Sequence, residues 1–229
     1  MPRESLTKHI SQIQDEVLLL GSMVEQAMLM AVDSLKRRDR VAARAIPQAD
    51  QQINEKRFAI ENAILILIAT QQPMAHDLRI LTAMLEVITE LERMGDYAKG
   101  IAKVVIRLDD VDIPIPIRDI EQMAERAVSM LHKALTAFIA EDASLASAIP
   151  TEDDEVDRLY TQVYHFIVQS MIANPASIDH ANLLMWVAHN IERMADRVTN
   201  ICERTVFIAT GELLEIDSSD DETDDNLDY

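Results

Sequence analysis

Two short stretches carry carboxylates at a spacing that could do chemistry. Glu92-Arg93-Met94-Gly95-Asp96 returns, from position 92 to position 192, as Glu192-Arg193-Met194-Ala195-Asp196. On a helix, Glu at i and Asp at i+4 stack one turn apart on one face. Like charges at that spacing repel, so each pair calls for a cation beside it. Either a neighbouring basic side chain or a bound metal ion meets that need.

A second polar pair stands at the start of a middle helix in each half: Asp50 with Asn54, and Asp153 with Asp157. Pairing Asp50 with Asp96 and Asn54 with Glu92 centres both pairs on Pro73. Pairing Asp153 with Asp196 and Asp157 with Glu192 centres both between Asn174 and Pro175. Both centres are turn signals. Antiparallel helices joined there set each pair level with its counterpart. The expected result is two four-residue clusters: Asp50, Asn54, Glu92 and Asp96, then Asp153, Asp157, Glu192 and Asp196. Such oxygen donors suit Mg²⁺, Mn²⁺, Ca²⁺ or iron, and suit zinc less without His or Cys. The competing reading is structural, with Arg93, Arg158 and Arg193 neutralising the acids and Lys99 and Arg197 contributing. The spacing leaves the two readings open. Asn54 makes the first cluster the weaker by charge; the second has four carboxylates.

Most enzyme classes lack their signature here. A di-metal bundle enzyme wants paired Glu-x-x-His motifs, whereas His189-Asn190-Ile191-Glu192 runs in the reverse order and Thr89 stands in the corresponding place. There is no phosphate-cradling Gly-rich loop, dinucleotide turn or nucleophile elbow. His189 reads as a polar bundle residue, and the single Cys202 as a packing residue of a reducing compartment. In Gln71-Gln72-Pro73-Met74-Ala75-His76-Asp77-Leu78-Arg79, a helix end, a turn and a new helix follow one another, with Asp77 at the positive helix end and Arg79 read as a surface residue.

The elements that must position these groups are helices. Aromatics are 4% of 229 residues and glycines number 4, which points to an all-α protein. Apolar residues step by three or four along each expected helix. Helix 1 is expected from Ser5, with Leu6, Ile10, Ile13, Val17, Leu20, Val24, Ala27 and Ala31 inward, followed by a short segment from Arg40. Helix 2 is expected to start at Pro47, with Ile53, Ile60, Ile64 and Leu67 inward. Helix 3 spans about Met74 to Leu108, with Leu78, Leu81, Leu85 and Ile88 inward. The second half repeats the plan: a helix over Ile117 to Ala140, a short one over Ala143 to Ile149, one capped by Thr151 that buries Val156, Leu159, Val163, Phe166 and Ile167, and a last one from Ile178 to Gly211. Asp109-Asp110 and Pro114-Ile115-Pro116 mark the boundary. The expected division is 1–112, 113–212 and a tail over 213–229.

The formal net charge is −19, which argues against nucleic acid as a partner. Seven of the acids lie between Asp217 and Asp228 with no Lys or Arg among them, the composition of a disordered, self-repelling tail. No signal-peptide block opens the chain. The longest apolar run, Ile64 to Ala69, is too short to span a bilayer. The reading is a soluble, cytoplasmic protein.

The turn from Gln71 to Arg79, followed by Glu92 to Asp96, resembles the PhoU family. Val156-Asp157-Arg158-Leu159-Tyr160, Glu192 to Asp196 and Asn200-Ile201-Cys202-Glu203 are similar to that family's second repeat. The resemblance covers about residues 5 to 212 and leaves out the acidic tail. It implies two tandem three-helix bundles related by a pseudo-twofold, in a cytoplasmic protein that is often a homodimer. It implies a negative regulator of the phosphate-starvation response that modulates phosphate uptake. In that role the chain is a non-enzymatic adaptor between a phosphate ABC transporter and a sensor histidine kinase, and meets the membrane only through those partners. It implies Fe or Zn at the Glu/Asp-x-x-x-Asp motifs, which here are Asp50/Asn54, Glu92/Asp96, Asp153/Asp157 and Glu192/Asp196, with Asn54 and Ala195 departing from the pattern. The alternative is a carboxylate-cluster metal-binding protein or metalloenzyme on a helical bundle, with Mg or Mn as further candidates; a purely structural bundle is the third reading.

Overall fold

The computed structural model describes residues 2–108 and 113–216. Seven helices carry the fold: α1 (Pro2–Arg37), α2 (Arg40–Gln71), α3 (His76–Arg107), α4 (Ile117–Ala140), α5 (Ala143–Ala148), α6 (Asp153–Ala173) and α7 (Ile178–Thr210). Single 3-10 turns precede α6 and α7. No strand occurs among the described residues. In the first half α1, α2 and α3 pack on one another; in the second α4, α6 and α7 do so, with α5 against α7. The halves join through α3 on α7 and α1 on α4. These pairs are the same-numbered helices of the two repeats, as a pseudo-twofold requires.

One residue pair marks that axis. Tyr97 and Arg197 hold the same place in the two repeats, and the Arg197 Nε donates to the Tyr97 hydroxyl at 2.6 Å. Arg197 also bonds Glu90 (2.7 Å) and lies 5.6 Å over the Tyr97 ring, with Arg193 at 5.8 Å. Arg204–Glu86 (3.0 Å) and Lys36–Glu121 (2.7 Å) extend the charged seam between the halves. Beneath it runs one continuous apolar core.

Among the described residues, α1 is the one helix long and apolar enough to cross a membrane by length and composition. Its Val17, Leu20, Val24 and Met28 are fully buried, against α2, α3 and α4. Gly21 permits the approach of α4, because a Cβ there would stand 2.2 Å from Leu135 Cδ1.

Several boundaries differ from the sequence expectation. α1 begins at Pro2 rather than Ser5, since proline suits a first helical turn. α2 begins at Arg40, and Pro47 lies inside it. The start signal is Asp39, whose carboxylate accepts from the Val41 and Ala42 amides at 2.9 Å each. That cap outweighs the Pro47 signal, although Pro47 supplies no N–H for the Ala43 carbonyl. Thr151 is not a cap: its hydroxyl donates to the Ala148 carbonyl (2.8 Å) within a 3-10 turn. α6 starts instead at Asp153, with Asp153, Asp154 and Glu155 at its positive end. α5 stops one residue short of Ile149. Leu78 and Phe166, expected inside, are exposed; each lies just outside its buried stripe, which runs through Ile80 and Leu81 on α3 and through Val163 and Ile167 on α6. The expectations for Asp109-Asp110 and for the acidic run from Asp217 lie outside the described residues.

Candidate functional site

The two clusters share one burial pattern, residue for residue. Asp50 and Asp153 are buried, at 4% and 3% exposure. Asn54 and Asp157 are half-buried, as are Glu92 and Glu192, while Asp96 and Asp196 are exposed. In the first repeat, Lys99 joins Asp50 of α2 to Asp96 of α3; in the second, Asp153 and Asp157 lie on α6 and Glu192 and Asp196 on α7, helices that pack on each other.

In the first cluster the cation is a lysine of the chain. Lys99 Nζ lies 2.8 Å from Asp50 Oδ2 and 3.2 Å from Asp96 Oδ1. It reaches Asp96 from one turn along α3 and crosses to α2 for Asp50. The Asp50 carboxylate beside it pushes its pKa up, with Asp96 adding to the effect. Asn54 turns its amide to Asp50, donating to the carbonyl (3.1 Å) and to Oδ2 (3.4 Å). Burial raises the Glu92 pKa, with Asp96 and Asp50 adding to the rise against the pull of Arg57 and Arg93. An ammonium between two carboxylates and an amide turned N–H inward do not fit a metal site. Arg93, expected as a neutraliser, is exposed and contributes through its field alone.

The second cluster has no such lysine. Thr199 stands where Lys99 would, buried, and its hydroxyl makes no hydrogen bond among the described residues. His189 Nδ1 lies 3.1 Å from Glu192 Oε2, and Tyr160 packs tilted against His189 at 6.3 Å. Burial, then the Glu192 charge, raises the Tyr160 pKa. Arg158 pairs with Glu155 on its own helix at 2.7 Å, not across helices. Arg193 turns to Tyr97. Among the described residues, no three His, Cys, Asp or Glu side chains converge as a ready-made metal site.

The repeat also explains a substitution inside the motif. A Cβ on Gly95 would stand 3.2 Å from Ile53 Cδ1. At the corresponding place the second half has Val156, buried and one methyl shorter. A Cβ on Gly95 would also stand 3.3 Å from Ile53 Cγ2, a branch that valine retains, so Val156 relieves one of the two close approaches where Ala195 stands in place of glycine.

Sequence reasoning placed Arg79 on the surface. Its Nε donates to the Ile208 carbonyl at 3.2 Å, so it caps the C-terminal end of α7, where a cation meets the negative pole. The same turn carries backbone strain at Ala75, with φ 48° and ψ −112°. Arg57 and the Glu90–Arg197–Tyr97 triad were also missed; for the triad, the equal repeat positions of Tyr97 and Arg197 were the signal.

Fold and site together define a two-repeat helical scaffold whose polar clusters are built into helix–helix contacts. The PhoU domain matches residues 17–105 and 120–205, one copy per repeat. The chain belongs to the PhoU family. It is 30% identical over 217 residues to a phosphate-specific transport system accessory protein PhoU homolog of Clostridium acetobutylicum, covering 94% of this chain and 99% of the relative. A homolog of the same description from Streptococcus pneumoniae is 32% identical over 214 residues, covering 93% and 99%. Among solved structures, the phosphate transport system regulatory protein PhoU of Streptococcus pneumoniae superposes with a TM-score of 0.84 at 31% identity, over 91% of this chain and 99% of that one. PhoU of Pseudomonas aeruginosa gives 0.84 at 28%, over 90% and 99%.

Proposed function

We propose that the chain is a cytoplasmic, non-enzymatic accessory protein of phosphate transport. In this reading it holds the phosphate-starvation response off when phosphate is plentiful, as an adaptor between a phosphate ABC transporter and a sensor histidine kinase, and works as a homodimer. The supporting observation is the end-to-end match of both repeats to relatives described as phosphate transport accessory proteins. The chemistry of the chain agrees. Its one thiol is buried and pushed up to about 12 by burial, and its first acidic cluster is closed by its own lysine. Deleting the gene tests the reading. Phosphate-starvation genes should then be expressed in rich phosphate, and a silent deletion would count against it.

Thr199 in the place of Lys99 favours a second reading, confined to one repeat. Asp153, Asp157, Glu192 and Asp196, four carboxylates with no lysine at the Lys99 position, would hold a divalent cation (Fe, Zn, Mg or Mn). Metal analysis of protein purified without added metal tests this. One ion per chain, lost in Glu192→Gln and kept in Glu92→Gln, is expected; no bound ion, or equal loss in both variants, would overturn it.

A further inference from the structure

A basic cleft of about 450 Å³ lies between α3 and α7 at the far end from Arg79. Lys99, Lys103, Arg107 and Trp186 line it, and Asp96 is the one carboxylate on its described wall. Lys99 is held by Asp50 and Asp96. Lys103 and Arg107 are exposed and make no ion pair among the described residues. Trp186 forms the floor: a Cβ on Gly100 would stand 2.2 Å from its Cη2, so glycine lets the ring lie against α3. The ring is nevertheless 43% exposed. Unpaired cations around an open aromatic ring are out of keeping with a chain of net charge −19, and they suit an acidic, extended segment.

The chain carries an acidic segment beyond Ile216, and the residues before it run back along α7 toward the cleft. After Gly211 it turns back: the Ile216 amide donates to Glu203 Oε1 at 3.0 Å, and Ile216 packs on the core. Glu203 lies on the α3–α7 seam with Glu86 and Glu90. The two helices are antiparallel, since Arg204 meets Glu86 near one end and Trp186 meets Gly100 near the other. From Glu203 to Trp186 along α7 is 17 residues of helix, about 26 Å at 1.5 Å each. Asp224 and Asp225 stand eight and nine residues beyond Ile216, a reach of about 26–30 Å when extended. A chain of that length extended from Ile216 is long enough to reach the level of the cleft, and residues 217–229 hold seven acids and no base.

We propose that the acidic segment 217–229 docks along the α3–α7 seam, with Asp224 and Asp225 against Lys103 and Arg107 over Trp186. The cleft is thereby a surface for acidic peptide whose first occupant is the chain itself. An acidic segment of another protein has to displace it.

Trp186 is the only tryptophan in the chain and reports on the docking. Ending the chain after Ile216 raises acrylamide quenching of its fluorescence about twofold, the change expected when a shielding segment leaves an exposed ring. A peptide of residues 217–229 added to the shortened chain restores the lower value. In the full chain, Lys103→Glu with Arg107→Glu reproduces the shortened chain's quenching at unchanged helical circular dichroism, as does 1 M NaCl, which screens the attraction to about 3 Å. Carbodiimide links Asp224 or Asp225 to Lys103 within single chains. Equal quenching of the full and shortened chains overturns the proposal. So do links from the segment to Lys36, Lys56 or Lys133 instead, or links only between chains.

Discussion

Lys99 on α3 reaches across to Asp50 on α2, Nζ to Oδ2 at 2.8 Å, and so answers the charge problem of the first acidic cluster from within the chain. Asp50's side chain is 6% exposed and Lys99's is 28%. Removing the lysine leaves a buried carboxylate with Asn54 as its nearest partner. Lys99→Met is therefore expected to lower stability by about 3 kcal/mol, a Tm drop on the order of 10 °C. Asp50→Asn in the Lys99→Met background should recover part of it. Thermal unfolding of the wild type and the two variants checks both statements; a neutral Lys99→Met contradicts them.

The same pair has a pH signature. Asp50 raises the Lys99 pKa above the ordinary lysine value of 10.5. A raised basic group stabilises fully below its unfolded pKa and loses that contribution as pH rises through the folded one. The gap between wild type and Lys99→Met should thus stay constant from pH 6 to 9 and close only above about pH 10.5. A gap that closes between pH 6 and 9 would point to another group.

Ile53 and Gly95 should prove coupled. Alanine at 95 gains helix propensity worth up to about 1 kcal/mol but meets Ile53 Cδ1 at 3.2 Å. Ile53→Val removes the nearer of the two opposing methyls and leaves Cγ2, at 3.3 Å; Val156 holds the corresponding sequence place in the second repeat. The double variant is expected to be more stable than the sum of the single changes by about 0.5–1 kcal/mol. Additivity in denaturant unfolding would mean that the two repeats differ for another reason.

Ala75 sits at φ 48°, ψ −112°, where a Cβ is strained. Ala75→Gly should raise stability by about 1 kcal/mol through relief of that strain, less the extra chain entropy of glycine. Unfolding in urea reads the change directly, and a loss of stability would contradict the strained turn.

Cys202 is fully buried on α7, and burial pushes its thiol up to about 12. At pH 8 the folded chain should therefore leave a thiol reagent unreacted and react with one equivalent once unfolded. Rapid labelling of the native chain would contradict this.

Much of the fold was legible because buried residues recur at helical spacing. Ile53, Ile60, Ile64 and Leu67 on α2 and Leu184, Val187, Ile191 and Met194 on α7 are all inside. Helix starts were less legible, because competing signals lie close together. Asp39 caps α2 through side-chain geometry that a nearby Pro47 obscured in the sequence. In the site, the repeat spacing named the acids but not their counter-charge. Lys99 finds Asp50 only once α2 and α3 are packed, and its flexible stem can reach several neighbours from one backbone position. Arg79 likewise met its partner 129 residues away, a distance no local pattern spans.

In the proposed role the chain binds two partners and does not catalyse a reaction. Affinity purification of the tagged chain, with the phosphate transporter and the phosphate-regulon sensor kinase co-expressed, tests it most directly. The account predicts that both are retained together, and that neither is retained by an unrelated helical bundle carrying the same tag. Recovery of the chain with neither partner would contradict it.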